Sequence, residues 1–116
     1  MAGIHLNNSA KFYGTISHGL QILETTVLHL LPDNQLVIED DVTIDPGCII
    51  HGTTIGSNSA IESGAIVCDY SGLGKNTLVR SGSLVKQRST FGDHQILEGF
   101  PAESMEIEKY WTKLNN

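Results

Sequence analysis

The chain has 116 residues, 7 of them basic and 13 acidic, and a formal net charge of −6. That length predicts one domain. No Lys/Arg cluster is present to meet nucleic acid or anionic lipid, and no run of about 18 apolar residues is present to span a membrane. Two cysteines and no visible signal segment make a soluble, cytoplasmic protein the expectation.

Elements are taken from the N-terminus. Ile16, Ile22 and Leu28 recur at an interval of six. After them, Leu31-Pro32-Asp33-Asn34 carries the residues of a turn and predicts a loop near 31–35. From Ile38 the beat is sustained through Ile44, Ile50, Ile55, Ile61, Val67, Leu73, Val79, Val85, Phe91 and Leu97. Every step is six except Ile50 to Ile55, which is five. Smaller residues mostly stand two places before each aliphatic: Val42, Cys48, Ser59, Ala65, Ser71, Thr77, Ser83 and Ser89. Turn formers fill the gaps, as in Gly56-Ser57-Asn58 and Gly74-Lys75-Asn76.

Six is neither the helical nor the plain strand period. A short strand with two inward residues, followed by a tight turn, produces it. Three such units close a triangular coil of about 18 residues, and stacked coils share one core. The fold expected is all-β: a left-handed parallel β-helix of hexapeptide repeats over residues 1–102, with about four to five coils. Its first coil would be capped by residues 1–15 or by a neighbouring molecule. In the tail, Ile107, Tyr110, Trp111 and Leu114 form a stripe at helical spacing, which predicts a C-terminal helix over residues 103–116.

Stacking predicts neighbours. Leu28 to Ile50 is one coil plus the four-residue loop, Ile50 to Val67 is one coil short by a residue, and Val67 to Val85 is a full coil. These four should share one inward column. The residues just before them, Val27, Ile49, Ile66 and Leu84, point outward and are all apolar. Such a ladder predicts a covered face, and a triangular prism suggests a closed homotrimer.

The residues just after them are His29, His51, Cys68 and Lys86. Two imidazoles one coil apart, about 4.8 Å, can reach one metal at about 2.0–2.1 Å for zinc. The plainer reading is a pair of interface histidines bonding each other, water or backbone. Cys68 extends the same column as a further ligand or an outward packing thiol. Cys48 takes a small inward position and reads as core. His5, His18 and His94 stand at unrelated positions and read as surface or turn residues. Asp69-Tyr70 reads as a turn with a surface aromatic. The Gly-rich corners lack the spacing of a phosphate loop.

The stretches QILETTVLHL, LVIEDDVTIDPGCIIHGTTIGSNSAIESGAIV, VRSGSLV and LEGFPAE together resemble the gamma-class carbonic anhydrases, within the hexapeptide-repeat acyltransferase superfamily. The resemblance covers about residues 21–103, includes the short step at His51, and implies a trimer of left-handed β-helices with a C-terminal helix. It also implies a divalent metal, zinc foremost, held between subunits by three histidines. His29 and His51 match the two ligands from one subunit. The third falls where Pro46 stands, and the glutamine ahead of the first histidine falls at Leu23. The family's N-terminal coils, with their Arg-Gly-Asp stretch, have no counterpart in residues 1–20.

The function implied is a gamma-carbonic-anhydrase-like scaffold with an incomplete metal site, weak or inactive on CO2, binding a small molecule in a subunit cleft. One alternative is an active divalent-metal hydratase or hydrolase whose ligand set is rebuilt with Cys68 or Asp45, Glu24 shuttling protons. Another is an acyl-CoA-dependent acyltransferase.

Overall fold

The computed structural model describes residues 5–6, 21–22, 26–28 and 34–105. Three sheets run along the coil axis. The first stacks β1 (His5–Leu6), β3 (Val27–Leu28), β6 (Ile49–Ile50), β9 (Ile66–Val67) and β12 (Leu84–Val85). The second stacks β4 (Val37–Ile38), β7 (Thr53–Ile55), β10 (Ser71–Leu73) and β13 (Thr90–Phe91). The third stacks β2 (Gln21–Ile22), β5 (Thr43–Ile44), β8 (Ala60–Ile61), β11 (Leu78–Val79) and β14 (Ile96–Gly99), with β15 (Ala102–Met105) at its end. From β3 onward the chain visits the sheets in that cyclic order for about four turns of a left-handed parallel β-helix.

Register follows from the six-residue beat. Leu28, Ile50, Val67 and Val85 pair in one column. Ile38, Ile55, Leu73 and Phe91 form the second, and Ile22, Ile44, Ile61, Val79 and Leu97 the third. These three columns meet at the axis and, apart from the half-buried Phe91, the described side chains are buried. Each such Ile or Val contributes roughly 1.5–3 kcal/mol. The small inward positions carry hydroxyls where the corners tighten. Buried Thr53 donates to Ser71 O at 2.9 Å, and Ser59 to Gly74 O at 3.0 Å, so their burial leaves no unmet polar group.

Two readings change. Residues 103–105, expected to open a helix, lie in β15, which pairs antiparallel with β14. Gly99, at φ 119°, reverses the chain there, and Ala102 turns inward while Glu103 and Ser104 face solvent. β15 covers the open edge of β14. Residues 106–116, with the rest of that predicted helix, lie outside the described residues. His5, read as unrelated to the repeats, sits in β1 in register with Val27. Residues 5–6 thus add a strand beneath the first full coil.

Candidate functional site

The corner between the first and second sheets carries His51. It differs from coil to coil. Between the first-sheet strand and the next small or inward residue (Leu36, Thr53, Ser71 or Ser89) the sequence places residues 29–35, then His51-Gly52, and in the two ordinary corners Cys68-Asp69-Tyr70 and Lys86-Gln87-Arg88. In the two ordinary corners the third residue is left-handed, Tyr70 at φ 60° and Arg88 at φ 64°. The short step at Ile55 is the deletion of that left-handed residue.

The deletion makes room that neighbours fill. From the coil below, Asn34 donates through Nδ2 to Gly52 O at 3.1 Å and to Asp69 Oδ1 at 3.0 Å. From the coil above, Asp69 Oδ1 also accepts from Gly52 N at 3.2 Å. Asn34 and Asp69 therefore touch across a coil that lies between them. A Cβ on Gly52 would lie 2.3 Å from Asn34 Cγ, so a larger residue there would have to displace the Asn34 side chain. The second oxygen of Asp69, Oδ2, lies 3.6 Å from His51 Nδ1, and both side chains are largely covered (25% exposed for His51, 15% for Asp69).

His51 thus lies beside a carboxylate that is itself held by Gly52 and Asn34. From the sequence Asn34 reads as a loop residue and Asp69 as a turn residue, neither as a neighbour of the His51 corner. The one available signal was the short step: a deleted corner residue leaves a gap that polar side chains of adjacent corners must fill.

The other site residues lie apart from one another. Cys68 follows β9 in the same column as His51, with its amide bonded to Val85 O at 3.0 Å. Burial, then the Asp69 charge, pushes its thiol up from 9.0, so the protonated form, the poorer metal ligand, is favoured. Cys48 is fully buried, its Sγ 3.2 Å from Glu62 O, and burial likewise raises its thiol. Asp45 stands on the third-sheet side, one coil from Glu62 and two from Arg80, whose Nε meets Glu62 Oε1 at 3.4 Å. Pro46 is exposed in the turn before β6. His29 and Glu24 lie outside the described residues. Among the described residues no three of His, Cys, Asp and Glu converge as a metal would need. Of the two same-subunit ligands the resemblance implies, His51 lies among the described residues and His29 does not.

The expected ladder is present: Val27, Ile49, Ile66 and Leu84 pair in register on the outer face of the first sheet. Ile49 is 37% exposed and the other three are half-buried.

On the second-sheet side of the His51 corner lies a recess of about 390 Å³, walled in part by Asn34, Gln35, Val37, Thr54 and Tyr70. The Arg88 guanidinium lies 4.7 Å from the centre of the Tyr70 ring. At the opposite corner the left-handed residues are Asp41, Asn58, Asn76 and His94, types that tolerate φ > 0, and at the third they are Gly47, Gly64 and Gly82. Tyrosine and arginine do not share that tolerance and cost roughly 1–2 kcal/mol each. An exposed cation–π contact returns about 0.5–1 kcal/mol.

Residues 36–69 match the family model described as bacterial transferase hexapeptide (six repeats). Over those residues the chain is similar to that family, and its coils are built of six-residue repeats. It is 34% identical to a carbonic anhydrase of Geobacillus kaustophilus over 59 residues, covering 51% of this chain and 32% of that protein. It is 24% identical to the carnitine operon protein CaiE of Escherichia coli over 123 residues, covering 98% of this chain and 63% of that protein. It therefore spans less than two-thirds of either relative's length. The crystal structure of the Bacillus cereus product of the BC4754 gene superposes with a TM-score of 0.70 at 21% identity, covering 97% of this chain and 84% of that one.

Proposed function

We propose that this hexapeptide-repeat protein is a gamma-carbonic-anhydrase-like trimer with an incomplete three-histidine site, weak or inactive on CO2. Pro46 is the observation that carries the reading: it occupies the position where the resemblance puts the third ligand, and its ring has no donor to offer. The likeness to a carbonic anhydrase over half the chain supports the lineage. The apolar ladder on the first sheet supports the trimer, since among the described residues its outward side chains stay partly exposed. The protein's remaining role is to bind a small molecule.

The test is metal content per subunit by elemental analysis, with CO2 hydration measured in parallel. Wild type should carry well under one ion per subunit, and Pro46→His should raise both metal content and hydration. About one ion per subunit in wild type, lost in His51→Ala, would overturn the reading in favour of a metal hydratase with a rebuilt ligand set. Ile49→Glu with Ile66→Glu should dissociate the trimer by light scattering. Trimers that survive both changes would refute the interface.

A second reading, acyl transfer, is favoured by the family model's description as a bacterial transferase. Saturable heat on titration with acetyl-CoA would select it, and none would leave the first reading standing.

A further inference from the structure

We propose that in the trimer the Phe100 side chain of one copy packs against Lys86 of the next, closing the upper end of the subunit contact. This deepens the trimer reading and rests on it, because it names which edges of two copies meet.

Two observations point to it. The first is Phe100 itself. Among the described residues the exposed large hydrophobics are Ile49, on the ladder, and Phe100, which is 71% exposed. Phe100 stands at a hairpin tip that is held on both sides. Gly99 pairs with Ala102 between β14 and β15, and Gly99 N donates to Ser83 Oγ at 3.1 Å. Ser83 immediately precedes Leu84, the upper end of the ladder. The tip is thus fixed at the corner between the third and first sheets. A ring held in solvent beside an apolar ladder extends the patch that the ladder begins.

The second is symmetry. The ladder is a column parallel to the coil axis. Three such columns pack together around a threefold axis that is also parallel to the coils. Copies then meet at equal height, and each edge of the first sheet meets the opposite edge of the next copy. One edge is the corner with the third sheet, which carries Pro46 in a lower coil and Phe100 uppermost. The other is the corner with the second sheet, which carries His51 in a lower coil and Lys86 uppermost. Lys86 is exposed, so both uppermost residues are open to a neighbour. An ammonium is attracted to an aromatic face, and its apolar stem can cover the ring. The edges also complement each other in charge. The Phe100 edge carries Asp45, Glu62 and Glu98 against Arg80, and the facing edge carries Lys86 and Arg88 against Asp69.

The experiment is sedimentation of the intact protein across a concentration series, for wild type, Phe100→Ser, Lys86→Ser and the double variant. Wild type should be trimeric, and each single change should raise the concentration at half-assembly by about tenfold. The double variant should assemble no worse than the weaker single, because both changes remove the same contact. Phe100→Trp, which keeps an aromatic face, should assemble at least as well as wild type. All variants should keep the circular dichroism of the β-helix, since both side chains are exposed. Loss of that signal in Phe100→Ser would overturn the proposal, because the ring would then support its own chain. Trimers that Phe100→Ser leaves at wild-type affinity, while Ile49→Glu with Ile66→Glu dissociates them, would overturn this contact and leave the trimer reading standing. Additive losses in the double variant would also overturn it, since the two residues would then have different partners. Wild type that stays monomeric at every concentration would overturn the trimer reading and this contact together.

Discussion

Two corners of this triangle obey different rules. At the corner between the second and third sheets every coil is alike. Gly56 and Gly74 stack so closely that a Cβ on either would lie within about 2.5 Å of the backbone above, and asparagine, aspartate or histidine takes each left-handed place. At the corner between the first and second sheets three consecutive coils differ in length, and a tyrosine and an arginine take the left-handed places. The first corner is what a repeat requires in order to stack. The second departs from it repeatedly, and each departure brings in a polar or aromatic side chain. Local rules are broken most readily where a protein gains something other than stability.

That contrast can be broken by substitution. Gly74→Ala should have the largest effect, a loss of about 3 kcal/mol in denaturant unfolding, because its Cβ would lie 2.4 Å from the Gly92 carbonyl carbon and backbone cannot swing aside. Gly92→Ala is the control at the same corner. It meets nothing within 4 Å and should unfold like wild type. Gly52→Ala should cost less, about 2 kcal/mol, because the obstacle is the Asn34 side chain, which can move by giving up its bonds. Most of that cost should vanish in an Asn34→Ala background, and a double-mutant cycle without coupling would show that Asn34 is not the obstacle.

Asp69→Ala should cost about 1–2 kcal/mol, since it leaves Gly52 N and one Asn34 proton without their acceptor. It should also free the His51 ring, seen as broadened imidazole resonances. An unchanged His51 spectrum would show that Asp69 does not hold it.

The smallest expected effect is on pH dependence. Both thiols titrate above 9.0 in the folded chain, so the unfolded chain releases their protons first. Their contribution is complete below 9.0 and is lost as pH rises through the higher folded values, so the melting temperature should fall in that range. The Cys48→Ala, Cys68→Ser double variant should flatten the decline. An equally steep decline would assign it to other groups.

The ladder of Val27, Ile49, Ile66 and Leu84 was legible because it needs only the repeat length and an outward direction. The helix expected from residue 103 was not. Glu103 reads as a helix opening in isolation, yet an unpaired edge on β14 offers hydrogen bonds that a nascent helix does not, and residues 102–105 take them. Asp69 was read as a plain turn residue because its role depends on a gap one coil away.

By itself, the sequence determined the period, and with it the coil, the three inward columns, the outward ladder and the coil that is one residue short. Those properties are periodic, so they follow from spacing and burial alone. Only the tertiary structure decided what occupies the space left at His51 and which side chains face the recess. Those contacts join residues 17 to 35 positions apart through the stacking of unequal corners. No local pattern encodes the height at which two such corners meet.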